Sequence, residues 1–167
     1  MKISAYTLSV LAAGIVSVGA ARAEGVIRHV DPAGHFPIAT AVEVPAGATT
    51  VYLSGMGAPV SDKSADPKSL RAYGDMEAQT AGALTRIQSE LGKIGLKMGD
   101  VIKMQVFMVS DKDTGKLDFA GMMKSYKKFF GTAGQPNLPV RSAFEVAHLA
   151  NPGWLIEIEV TAVRSPS

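Results

Sequence analysis

Residues 155–163 alternate with period two: Ile156, Ile158 and Val160 interleave with Glu157, Glu159 and Thr161. Successive side chains of a strand point to opposite faces, so this segment has to be a strand with one face buried and the other facing water. Residues 101–109 repeat the pattern, with Lys103 and Gln105 on one side and Ile102, Met104, Val106 and Met108 on the other. Two such strands exclude an all-helical fold and call for a layer that covers one face of a sheet.

The sequence also supplies that layer. Ala81, Leu84, Ile87, Leu91 and Ile94 recur at helical spacing, Asp75 is placed to cap the helix, Glu77 sits near its positive end and Gly95 ends it. Residues 117–130 predict a second helix with Phe119, Met122, Met123, Tyr126, Phe129 and Phe130 on its apolar side. Residues 26–30, 38–44, 49–56 and 141–149 read as further strands, and the polar stretch 61–74 as an exposed loop. The order β-β-β-α-β-α-β-β predicts an α+β domain: one mixed sheet with two helices on one face. The opposite face has no cover within the chain, and self-association is the usual way to provide one.

The first 23 residues differ from the rest: Lys2, an apolar run over residues 8–19, then Ala21-Arg22-Ala23 as a small-x-small cleavage site. This is the pattern of a secretory signal peptide, too short to be a comfortable membrane span. The expectation is a leader over 1–23 and a single exported domain over 24–167, soluble and periplasmic once cleaved. The whole chain carries a formal +2, but Lys2 and Arg22 leave with the leader, so 24–167 has 15 basic and 15 acidic residues. A neutral domain lacks the surplus of cations on which phosphate-backbone binding depends, so no nucleic-acid partner is expected.

The absence of cysteine excludes disulfides, thiolate nucleophiles and cysteine-based metal sites. Gly55-Met56-Gly57 lacks the third glycine and helix start of a dinucleotide fingerprint, and no Gly-x-Ser-x-Gly elbow is present. His29 and His35 flank a turn with no carboxylate at ligand spacing, and Lys124, Lys127 and Lys128 read as a solvated helix face. No metal or cofactor is expected.

Four segments taken together carry a likeness: residues 50–55 (TVYLSG), 75–80 (DMEAQT), 99–107 (GDVIKMQVF), and 139–143 (PVRSA) with 155–163 (LIEIEVTAV). Their order and spacing resemble the RidA/YjgF family of reactive-intermediate (enamine/imine) deaminases over roughly residues 38–164. The resemblance implies a chorismate-mutase-like fold, a homotrimer with clefts between neighbouring subunits, and hydrolysis of 2-imino acids to 2-keto acids and ammonia. It places Arg141 as the carboxylate anchor and Glu157 as the acid that holds the attacking water, with Ile38, Ser54, Gly55, Met56, Met123 and Ala143 lining the pocket. A guanidinium suits the first role because it offers two parallel donors to a carboxylate.

The chain departs from the family pattern at Ile38, Met56, Met123 and Ala143, where tyrosine, glutamine, asparagine and cysteine are usual. The resemblance therefore implies a carboxylate site with an apolar lining. It supports imino-acid hydrolysis and, as an alternative, a non-catalytic trimer that binds a carboxylate metabolite.

Overall fold

The protein is described by a computed structural model covering residues 25–166. The expected leader and cleavage site lie outside the described residues. Strand β3 (Thr49–Gly57) leads through a long loop to helix α1 (Met76–Lys93), then β4 (Val101–Met108), α2 (Phe119–Phe129), β5 (Val140–Glu145) and β6 (Ile156–Arg164). These four strands form a mixed sheet in the order β3-β6-β4-β5, with β5 parallel to β4 and the other pairs antiparallel.

The expected single sheet is corrected at its start. Strands β1 (Ile27–His29) and β2 (Ala41–Glu43) pair with each other as a separate antiparallel ribbon. A side chain, in place of a ladder, ties the ribbon to the main sheet: Arg28 donates to the carbonyls of Leu138 (3.1 Å), Gly99 (2.9 Å) and Val101 (3.3 Å).

Periodicity sets the rest. Met104, Val106, Met108, Ile156, Ile158, Val160 and Ala162 are fully buried against Leu84, Ile87 and Leu91 of α1 and Met122 and Tyr126 of α2. Each of the Val, Leu, Ile and Met side chains among them contributes roughly 1.5–3 kcal/mol by burial. Ile102 does not join this set: a bulge between Val101 and Lys103 shifts the phase at the start of β4. The helices cover one face only. The other face presents Lys103, Gln105, Phe107, Glu157, Glu159 and Thr161, with Tyr52 77% and Phe144 43% exposed beside them.

Asp75 caps α1 by accepting from the Ala78 amide at 2.8 Å, and Gly95, at φ +73°, ends the helix in the left-handed region. Asp118 caps α2 in the same way, so that helix begins at Phe119, two residues later than the apolar pattern predicted. β5 stops at Glu145 instead of residue 149, because its neighbour β4 has already ended at Met108. The 61–74 segment is not simply an exposed loop: Ala72 and Tyr73 are buried with Ala58, backed by Ala65 and Trp154. The Tyr73 hydroxyl donates to the Pro67 carbonyl at 2.7 Å and lies 2.7 Å from Asn151 Nδ2.

Candidate functional site

Arg141 lies on β5 opposite Met104 of β4, so its side chain projects on the helix-covered side of the sheet. β5 is an edge strand, and past the start of α2 this side is open: Ala143, two residues on and on the same side, is exposed. The Arg141 guanidinium lies over the Tyr126 ring at 4.4 Å and 6.0 Å from the Phe119 centroid. Its Nη1 donates to Met123 Sδ at 3.1 Å. Burial holds its pKa below the ordinary arginine range, yet it stays cationic at neutral pH. No carboxylate pairs with it among the described residues.

Such a cation is suited to bind an anion. Desolvation strengthens whatever it binds, while a thioether and aromatic faces supply only partial compensation. Beside it, a cleft of about 420 Å³ is lined by Ile38, Thr40, Lys103, Met104, Arg141 and Ser142, among others. Ile38 reaches this position because the Ala39 amide donates to the Pro139 carbonyl at 2.9 Å, which lays residues 38–40 along the start of β5.

Glu157 sits elsewhere. It pairs with Gly57 of β3 and Phe107 of β4, on the face without helices. On β3 the register shifts between Leu53 and Met56, so Ser54 and Gly55 together oppose Glu159. This bulge leaves both residues exposed, and the Glu157 carboxylate occupies the space above Gly55 where a Cβ would stand. Met56, opposite Ile158, turns inward and packs against the core.

The expected site residues therefore form two groups. Arg141, Met123 and Ile38, with Ala143 further along the strand, belong to the β5 edge; Glu157, Ser54 and Gly55 belong to the open face, with Met56 beneath. One chain alone does not join them. Sequence reasoning missed Tyr126 and Phe119 as the seat of Arg141, because on a helical apolar stripe they look like ordinary core. Their only signal is that they are aromatic residues on the helix just before the arginine's strand, and an aromatic face can seat a guanidinium.

Three of the other charged candidates form local pairs. His29 Nε2 lies 2.6 Å from Glu43 Oε1 across the ribbon, a carboxylate that spacing along the chain did not reveal. Lys124 and Lys128 are not a purely solvated stripe: they grip Glu77 at 2.6 and 2.9 Å. No group of three or more His, Cys, Asp or Glu suited to a metal occurs among the described residues, and no helix there is long and apolar enough to cross a membrane.

Comparison with known proteins gives a consistent picture. The family model for Endoribonuclease L-PSP matches residues 30–164. The 2-iminobutanoate/2-iminopropanoate deaminase of Salmonella typhimurium is 38% identical over 99 residues, which is 59% of this chain and 72% of that protein. The crystal structure of Escherichia coli TdcF with bound serine is 32% identical, covers 78% of this chain and 94% of its own, and superposes with a TM-score of 0.55. The Rid-family protein YyfB of Yersinia pestis, at 22% identity, shares the fold with a TM-score of 0.63 over 83% of this chain and 98% of its own.

Proposed function

The chain belongs to the Endoribonuclease L-PSP family, the RidA/YjgF proteins, and on that premise we propose that it hydrolyses 2-imino acids, or their enamine tautomers, to 2-keto acids and ammonia at clefts between copies of the chain. The observation that carries this reading is Arg141: a largely desolvated guanidinium, seated on Tyr126, with no carboxylate partner among the described residues. The substrate carboxylate takes that place and is oriented by parallel N–H donors.

Hydrolysis then needs a water held against the imine carbon. Glu157 takes a proton from this water as its oxygen bonds to the carbon. The imine nitrogen takes up a proton from solvent in the same step, which gives the carbinolamine; Glu157 then returns its proton to that nitrogen, the hydroxyl gives up its proton to solvent as the carbonyl forms, the C–N bond breaks, and ammonia leaves with the keto acid behind. Arg141 and Glu157 lie on opposite faces of one sheet, so the two halves of the cleft come from adjacent subunits of a homotrimer. The uncovered face, with Tyr52, Phe107 and Phe144, is the surface that association would bury.

We assign residues 1–23 as a cleaved leader and the periplasm as the site of action. Residues 24–167 carry no net formal charge and Lys124 and Lys128 are engaged by Glu77, which favours a small carboxylate ligand over RNA. The apolar lining by Ile38, Met123 and Ala143 favours the second reading, a trimer that binds a carboxylate metabolite without turning it over. The experiment generates imino acids in situ with an amino-acid oxidase and follows keto-acid release. Wild type faster than Arg141→Ala supports hydrolysis. No difference across several side chains removes it, and Arg141-dependent stabilisation by keto acids alone selects the binding reading.

A further inference from the structure

We infer that Tyr126 is a positioning residue that holds Arg141 in its carboxylate-binding pose, an assignment that rests on the reading of Arg141 as the anchor. Arginine is long and rotamer-rich, and an edge strand gives it little side-chain packing of its own. Here the Tyr126 ring supplies the missing constraint: the guanidinium carbon stands 4.4 Å from the ring centroid, inside the range of a cation–π contact, while Phe119 at 6.0 Å is at its limit.

The ring is itself held at several points. Tyr126 is 1% exposed, and Phe130 stacks on it at 5.0 Å and 20°. Its hydroxyl donates to the Pro37 carbonyl at 2.9 Å, which fixes the ring to the segment just before Ile38 at the cleft. Burial pushes the phenol well above its ordinary range, so it stays neutral and offers no anion in competition with a ligand carboxylate. One tyrosine thus joins α2, the 36–38 segment and the anchor on β5. A plain core filler would account for the burial but not for the arginine seated on its face.

The test separates the π face from the packing. Tyr126→Phe keeps the ring and loses the bond to Pro37; Tyr126→Leu keeps apolar bulk and loses the face. The readouts are KM and kcat for an imino acid generated in situ, the dissociation constant for 2-oxobutanoate, and the urea midpoint. The expected result is a KM and dissociation constant raised about 10- to 30-fold in Tyr126→Leu with kcat within about two-fold, while Tyr126→Phe binds nearly as wild type at a lower midpoint. Should Tyr126→Leu fail to fold, pentafluorophenylalanine at the same position keeps the shape and inverts the ring quadrupole; binding weakened relative to Tyr126→Phe supports the assignment. Binding by Tyr126→Leu or the fluorinated variant equal to that of Tyr126→Phe overturns it while leaving the anchor intact. A wild-type protein that binds no 2-oxobutanoate and turns over no imino acid overturns the anchor, and this assignment with it.

Discussion

Arg141 and Glu157 face opposite sides of the same sheet. Arg141 registers with Met104 on the helix-covered side, and Glu157 registers with Phe107 on the open side. The separation is three residues along β4 and two strands across, roughly 10 Å in each direction. A cleft using both residues therefore takes them from different chains, which mixing can detect. Arg141→Ala and Glu157→Gln should each be inactive alone. Co-expressed in equal amounts, they should recover about a quarter of wild-type activity, because about one interface in four pairs the intact arginine with the intact glutamate. Activity that stays at the level of the single variants sinks the shared cleft.

Arg141→Lys is expected to fail almost as badly as Arg141→Ala. Lysine keeps the charge but loses the planar fork that grips a carboxylate and lies flat on Tyr126. Loss of one charge-assisted hydrogen bond costs roughly 1.5–3 kcal/mol, about a 10- to 150-fold fall in kcat/KM. Steady-state kinetics with two imino acids of different side-chain length measures this. A lysine variant with wild-type kcat/KM speaks against bidentate binding.

Much of this fold was legible because its signals are local. Alternation in β4 and β6 named the buried set apart from Ile102, which the bulge at the start of β4 puts out of phase, and Asp75 and Gly95 marked the ends of α1. What was hidden depends on partners distant in sequence. The ribbon pairs only with itself, and Arg28, which ties it to the main sheet, reaches carbonyls 71 to 110 residues away. The buried Tyr73 sits in a stretch too polar to suggest a core. At the site, motifs picked out Arg141 and Glu157, but only strand register shows that they do not share a face.

Gln79 should be among the most sensitive polar positions outside the site. It is fully buried; its amide nitrogen donates to the carbonyls of Gly74 (2.9 Å) and Gly153 (3.1 Å), and its oxygen accepts from the Leu155 amide (2.8 Å). These bonds pin the turn before β6 to the first turns of α1. Gln79→Leu fills similar volume but leaves three backbone groups unpaired, at roughly 1–3 kcal/mol for each group that water cannot reach. A urea midpoint within experimental error of wild type contradicts this account.

Glu77 gives a stability signature in pH. Hydrogen bonds from Lys124 and then Lys128 hold its carboxyl below the usual range. A depressed folded-state pKa means stability that is present above the unfolded value, near pH 4, and lost as pH falls through the folded one. Lys124 is shifted up by the same partner, so its share is present below the unfolded lysine value and lost as pH rises through the folded one. Glu77→Gln should therefore lower Tm at pH 7, converge with wild type in strong acid, and differ less at high salt. An equal deficit at pH 7 and pH 2 assigns the effect to packing instead.

Gly55→Ala separates function from fold most directly. The Glu157 carboxylate lies where an alanine Cβ would stand, and Gly57, two residues on, is likewise closed to a Cβ by the Trp154 ring. The two sites differ in what must move. At Gly55 the obstacle is the free end of a flexible side chain on an exposed bulge, so the methyl group displaces the carboxylate at a stability cost below about 1 kcal/mol. At Gly57 it is a ring wedged against Tyr73, 6.3 Å away edge to face, so Gly57→Ala should damage the fold itself. Gly55→Ala should accordingly keep its Tm and its affinity for 2-oxobutanoate, which Arg141 supplies, and lose most of kcat, which needs Glu157 against the water. Full kcat in a folded Gly55→Ala protein would remove Glu157 from the reaction, and weakened keto-acid binding with intact kcat would assign it to the ligand instead of the water.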